Sequence, residues 1–387
     1  MQLFEGEEPE FDELSLNFTI DELREALIGG YGEEAAKLQW GTPDAEMVRH
    51  LYRNVYQFSV AKNFTQMRTL TSALIDENGH TRSFSDFMTE ASKIDKKFNV
   101  DYLRAEYDTA INSAEMASHW VRFKQMGNPM LRYVTVGDER VRESHAAMNG
   151  IQRPMSDPIW DKIYPPNGWN CRCTVIATSG AATPDKQIRM PWDVPPLFQT
   201  NLAKTGMLWP KGHPYFKATD EIIIKQEGND RFVDNAIEAA TSKKEKLQAA
   251  GYAIRDVILD EFGKNATIKI PKQKDGIPSM IKLTSDAVYS TVIVNKHSKT
   301  VNCKRAALNA LRNPDTLIHE KTEELGERKN LDDEKDRKNI DKKKRKGVKY
   351  YQLFSFEYNN KQYILGCQDI EKKNKHYLEP YYVTQKK

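Results

Sequence analysis

Ten of the 17 prolines in the chain fall between Pro154 and Pro214. Proline removes a backbone donor and clashes with the preceding turn inside a helix. The segment from about 130 to 220 therefore cannot be mainly helical, and something other than regular secondary structure must hold it in shape. This constraint divides the 387 residues into an irregular middle and two flanks of different character.

Residues 12–130 read as helices. Thr19-Ile20-Asp21-Glu22 has the form of a capping box, and Thr42-Pro43-Asp44 places proline at a first helical position, where its missing N–H costs nothing. Over 101–126, Leu103, Tyr107, Ile111, Ala114, Ala117 and Val121 recur at spacings of three and four, one face of a helix. Gly127-Asn128-Pro129 ends it. Residues 221–265 read as helical again, with Phe232, Ile237, Ala240, Leu247, Tyr252, Ile254 and Ile258 facing inward.

The last stretch differs. Residues 287–294 (AVYSTVIV) are a β-branched run that predicts a strand. Residues 303–311 predict a short helix, and 349–358 alternate, with Tyr350, Gln352, Phe354, Phe356 and Tyr358 on one face. Asn359-Asn360 predicts a turn into 361–366, and 377–384 supplies a third run. The run Lys342-Lys343-Lys344-Arg345-Lys346 reads as a solvated loop of like charges. The expected class is α+β: a helical region over 1–130, a loop-rich segment over 131–220, a helical linker over 221–270, and a basic helix-plus-antiparallel-sheet domain over 271–387.

Charge supports the division. Residues 1–240 hold 26 Lys+Arg against 35 Asp+Glu, and residues 241–387 hold 32 against 20, so a net +3 conceals halves of −9 and +12. A basic domain is a candidate for contact with the phosphates of RNA or DNA, although many basic surfaces touch none. No run approaches the roughly 20 apolar residues of a membrane span. The acidic N-terminus lacks the pattern of a secretion signal, so synthesis in a host cytoplasm is expected. Four cysteines in such a chain do not make a disulfide scaffold.

Only Cys171 and Cys173 are close enough to invite a chemical reading. His145 stands 26 residues earlier, and imidazole with two thiolates suits tetrahedral Zn²⁺. A structural zinc would supply the folding energy that a coreless segment lacks, with Asp138 or His213 as fourth ligand. The competing reading pairs His145 and Asp138 with Arg140 or Arg142 and leaves the cysteines as buried thiols. No glutamate is placed as in HExxH, so catalysis by such a zinc is not expected.

The same residues belong to a longer string. Asp138-Glu139-Arg140-Val141-Arg142-Glu143-Ser144-His145 is followed by Trp160 and by Pro165-Pro166-Asn167-Gly168-Trp169-Asn170-Cys171-Arg172-Cys173, then by Trp209-Pro210 and His213-Pro214-Tyr215-Phe216. This order resembles the phage Mu F-like head morphogenesis family over roughly residues 40–220. The resemblance implies a minor head protein of the virion, associated with portal and capsid proteins and involved in head assembly or DNA delivery. The acidic helical region would then be the docking surface.

The C-terminal stretch resembles the phage-type barnase–EndoU–colicin–RelE-like nucleases in residues 287–299, 311–315 and the terminal strands. That likeness implies a nuclease toxin with an immunity protein as partner and no metal or cofactor. Metal-free RNA cleavage needs a base, an acid and cations around the phosphorus. The side chains offered are His297, Lys299, Arg312, Lys349, Tyr351, His376 and Thr384, beside His319 and Tyr377. His297 follows the β-branched run, and His376 opens the last strand. The alternative is a decorating or nucleic-acid-binding domain without catalysis.

Overall fold

A computed structural model of the chain describes residues 11–36, 42–188, 194–273, 276–295, 298–327, 333–372 and 375–386. Contacts divide the chain into two units, parting after Phe232. A helical N-terminal region and a C-terminal sheet whose strands pair mostly antiparallel make the class α+β, as expected.

Unit 1 opens with α1 (Glu13–Tyr31), α2 (Pro43–Ser72), α3 (Phe84–Lys96) and α4 (Leu103–Gln125). Thr42 caps α2 through its hydroxyl, with Pro43 in the first turn, as the sequence predicts. The expected start at Thr19 is wrong. Asp12 caps α1 instead, accepting from the N–H groups of Leu14 and Ser15, and Thr19 is buried inside the helix. α1 packs on α2 and α4, and Gly30 lets it approach so closely that a Cβ there would overlap the Ile111 carbonyl. Between α2 and α4, Lys62 meets Glu106 at 2.5 Å with both side chains buried.

The Pro-rich segment follows. Its regular structure is a small antiparallel sheet of order β2-β1-β3, from β1 (Met130–Val134), β2 (Gln152–Pro154) and β3 (Thr174–Thr178). Short helices α5 (Glu143–Met148), α6 (Trp160–Ile163), α7 (Leu202–Thr205) and α8 (Pro214–Ala218) fill the rest. Large aromatic side chains pin these pieces to α2 and α4. Trp209 stacks on Phe58 with ring centroids 4.0 Å apart, and Tyr164 packs edge-on to Trp120 at 5.0 Å. Burying such rings removes much apolar area from water, which regular hydrogen-bonded structure does not supply here. The segment ends in α9 (Glu221–Glu238), which crosses the division between the units.

Unit 2 contains α10 (Lys243–Glu261), α11 (Ser285–Tyr289), α12 (Val301–Arg312) and α13 (Glu334–Lys346). Its sheet has the order β4-β5-β9-β8-β7-β6. The strands are β4 (Ala266–Lys269), β5 (Met280–Leu283), β6 (Ile318–Glu324), β7 (Val348–Tyr358), β8 (Lys361–Lys372) and β9 (Lys375–Gln385). β7 and β8 are joined through Asn359 and Asn360, both at positive φ, the conformation of a tight hairpin turn that asparagine tolerates. Phe354, Leu365 and Val383 lie side by side on one sheet face, and α12 packs across these strands with its small residues Cys303, Ala306, Ala307 and Ala310.

Two expectations fail in unit 2. Residues 287–294 form no strand: they complete α11 and a following π turn. The Thr284 hydroxyl caps the helix, and Ala287, Val288, Thr291 and Val292 are buried at helical spacing, so packing overrides β-branched preference. The run 342–346 is the end of α13 rather than a loop. Asp333 caps its start and Gly347, at φ 94°, its end, while Glu334 and Lys338 pair one turn apart.

Candidate metal centre

His145 projects from α5, and the turn between α6 and β3 carries Cys171 and Cys173. α4 anchors that turn: Asn112 Nδ2 donates to the Cys173 carbonyl at 3.1 Å, and the Asn170 N–H donates to Thr109 Oγ1 at 3.3 Å. Arg142, at the start of α5, donates to the Trp169 carbonyl at 2.6 Å. With these ties in place, one nitrogen of His145 and both sulfurs lie within 4.8 Å of one another, all three residues buried.

The imidazole has two distinct sides. Nε2 lies 3.3 Å from the Asn167 carbonyl, which can only accept, so the proton sits on Nε2. Nδ1 then offers its lone pair toward Cys173 Sγ at 3.4 Å and Cys171 Sγ at 3.8 Å. A histidine that ligates a metal usually has its other N–H held in this way. A hydrogen bond from Cys173 drives the Cys171 thiol down, and that same bond pushes Cys173 up. Both sulfurs lie on the Nδ1 side of the ring, where a cation would be held by both. The Tyr133 hydroxyl, donating to Asn167 Oδ1 at 2.9 Å, walls the group. Asn167 Nδ2 is buried without a partner among the described residues, a donor suited to a metal-bound thiolate.

The donor set fits a soft or borderline divalent ion such as zinc. His145, Cys171 and Cys173 would be its ligands. Asp138 stands apart from the group, its carboxylate held by both Arg172 Nη atoms at 2.6 and 2.8 Å. The guanidinium beside it lowers Asp138 to about 2. His213 is committed elsewhere: its Nδ1 accepts from the Tyr215 N–H at 3.2 Å, at the N-terminus of α8. No carboxylate joins His145, Cys171 and Cys173 among the described residues.

Comparison with known proteins places this clamp. Residues 45–176 match the family described as "Phage Mu protein F like protein", a span that includes His145, Cys171 and Cys173. Over these residues the chain is similar to the phage Mu F-like family. The "Mu-like prophage FluMu F protein" of Haemophilus influenzae is 39% identical over 88 residues, 23% of this chain and 21% of that protein. The "Putative capsid assembly protein F" of Escherichia phage Mu is 30% identical over 112 residues, 28% of this chain and 23% of that protein. The chain therefore spans about a fifth of the length of these relatives. No solved structure matches it.

Beyond the Mu F-like segment, the side chains named from the tail do not gather at one place. His297 lies outside the described residues. Lys299 is exposed, Arg312 is bound to Glu261 at 2.6 and 2.9 Å, and Lys349 pairs with Glu371. His376 Nε2 meets the buried carboxylate of Asp369 at 2.7 Å. Asp369 alternates with Cys367 and Leu365, so His376 belongs to the sheet face that α12 covers further along. Tyr351 and Thr384 belong to the other face by the same alternation.

That second face carries a row the sequence did not reveal. Glu323 of β6, Tyr351 of β7, Gln368 of β8 and Glu379 of β9 stand opposite one another in register, with Glu323, Gln368 and Glu379 buried. Lys343 and Lys346 reach the row from α13, meeting the Tyr351 hydroxyl and Glu379.

Proposed function

We propose that this chain is a minor head protein of a phage or prophage, part of the virion and associated with portal and capsid proteins in head assembly or DNA delivery. The observation that carries the reading is the convergence of His145, Cys171 and Cys173 within the Mu F-like segment. The capsid-assembly name of the phage Mu relative points the same way. In this account the clamp is structural: a zinc ion joins α5 to the turn before β3 in a segment poor in regular structure. Host-cell synthesis precedes incorporation, and the helices of unit 1 are the docking surface. Mass spectrometry of purified heads tests this. The chain is expected in heads, at reduced level when Cys171→Ser loosens the segment; its absence from heads made in its presence would overturn the reading.

For the tail the reading is a metal-independent endoribonuclease. The observation favouring it is the row Glu323–Tyr351–Gln368–Glu379, which sets carboxylates, a phenol and the lysines of α13 on one sheet face. A carboxylate there would take the proton of a 2′-OH. O2′ would attack phosphorus as the bond from phosphorus to the 5′ oxygen breaks and the Tyr351 hydroxyl gives that oxygen its proton, leaving a 2′,3′-cyclic phosphate and a 5′-OH. Such an activity requires an immunity protein in the producing cell. Incubation of the full chain with RNA tests it: cleavage that Glu379→Gln and Tyr351→Phe both reduce is expected. Intact RNA would leave the tail as a binding or decorating domain.

A further inference from the structure

One cleft in unit 2 has a chemistry of its own. It measures about 680 Å³ and opens between α13, the second sheet face and the turn after α11. That volume lies within the range of small-molecule sites and admits a nucleotide but not a duplex. Tyr351, Tyr381 and Tyr382 wall it, and Lys335 and Lys343 enter it from α13. The rings of Tyr351 and Tyr381 are 5.9 Å apart and inclined by 37°. Lys343 Nζ sits 4.8 Å from one centroid and 4.1 Å from the other. The ammonium thus sits at the cleft against both rings.

We propose that this cleft binds one nucleotide of a single-stranded polynucleotide, its base against the tyrosines and its phosphate on Lys343 and Lys335. Aromatic faces accept any base, while lysines follow the backbone. α13 supplies the approach: residues 334–346 hold eight Lys+Arg against three Asp+Glu. Asn295 fixes the cleft margin by donating to the Tyr381 carbonyl at 3.1 Å. Buried Glu323 lines the same wall, its carboxylate paired with Lys321 at 3.2 Å. A solvated basic helix would need no tyrosine-walled cavity beneath it. The assignment deepens the reading of the tail as nucleic-acid-processing and rests on it, but binding and cleavage are separable.

Fluorescence anisotropy of the full chain with labelled eight-nucleotide oligomers tests the site, with RNA and DNA versions and a duplex of equal length. Single strands of either sugar should bind, and the duplex more weakly. Tyr381→Ala should weaken single-strand binding roughly tenfold, and Lys343→Met should weaken it and flatten its salt dependence. Lys342→Ala, exposed on α13 and outside the cleft, should change it by less than about threefold. Should Tyr381→Ala unfold the tail, photocrosslinking of a 4-thiouridine oligomer to the unaltered chain decides, with adducts expected on tyrosines 351, 381 or 382. Binding that is equal for duplex and single strand, or crosslinks confined to the outer face of α13, would overturn the cleft assignment. Bound but uncleaved RNA would instead overturn the nuclease reading and leave this site standing.

Discussion

His145 and Asn167 meet through the ring Nε2 and the backbone carbonyl at 3.3 Å, and this contact decides what the other ring nitrogen can do. With the proton fixed on Nε2, Nδ1 faces Cys171 and Cys173 as a lone-pair donor. The partner is main chain, so no side-chain substitution at Asn167 removes it. The ligand orientation is thus built into the turn that carries both cysteines.

Asp138 separates the two readings of this region. Its carboxylate is engaged by Arg172, so Asp138→Asn should leave bound metal unchanged, measured by elemental analysis of purified protein. Cys173→Ser should reduce it. Equal loss in both variants would return Asp138 to the ligand set.

Lys62 and Glu106 form a buried pair, and burial lowers the Lys62 ammonium while raising the Glu106 carboxyl. Desolvation therefore opposes both charges, and neither tolerates loss of its partner. Lys62→Met should cost about 3–5 kcal/mol in urea denaturation. Joining it to Glu106→Leu should recover most of that loss. A double variant as unstable as the single one would show that packing, not the stranded charge, sets the cost.

His213 gives unit 1 a pH dependence. Burial first, then the Lys62 charge, lower its imidazole to about 4 from the ordinary 6.5. Between those values the unfolded chain binds a proton that the folded chain does not, so stability is full above about pH 6.5 and falls as pH drops toward 4. The loss is on the order of 3 kcal/mol. Urea midpoints of wild type should decline across this window, and His213→Gln should flatten the decline. An equal slope in both would remove His213 from the account.

Gly30 marks the closest approach of α1 to α4. Gly30→Ala places a methyl on the Ile111 carbonyl and should cost about 1–3 kcal/mol despite the better helix propensity of alanine. Thermal unfolding checks this. A stabilised variant would mean that the two helices separate without penalty.

The sequence displays local chemistry far better than tertiary register. Thr42-Pro43 announces α2 because cap and proline act within one turn, whereas Thr19-Glu22 shows the same pattern inside a helix that Asp12 already caps. His145, Cys171 and Cys173 are visible because a dense motif orders them, yet the choice against Asp138 needed the position of Arg172. Residues 287–294 carry a strand composition that burial turns into helix. The row Glu323–Tyr351–Gln368–Glu379 depends on pairing residues up to 28 apart in sequence, which no local pattern encodes. Tyr351 is recognisable as a candidate, but its partners Lys343, Glu323 and Tyr381 are not.

Metal content of the purified chain tests the central claim most directly. Elemental analysis of wild type, His145→Ala and Cys171→Ser should find about one zinc per wild-type chain and a large loss in both variants. Wild-type protein that is folded yet free of bound metal would contradict the clamp and return these three side chains to ordinary packing.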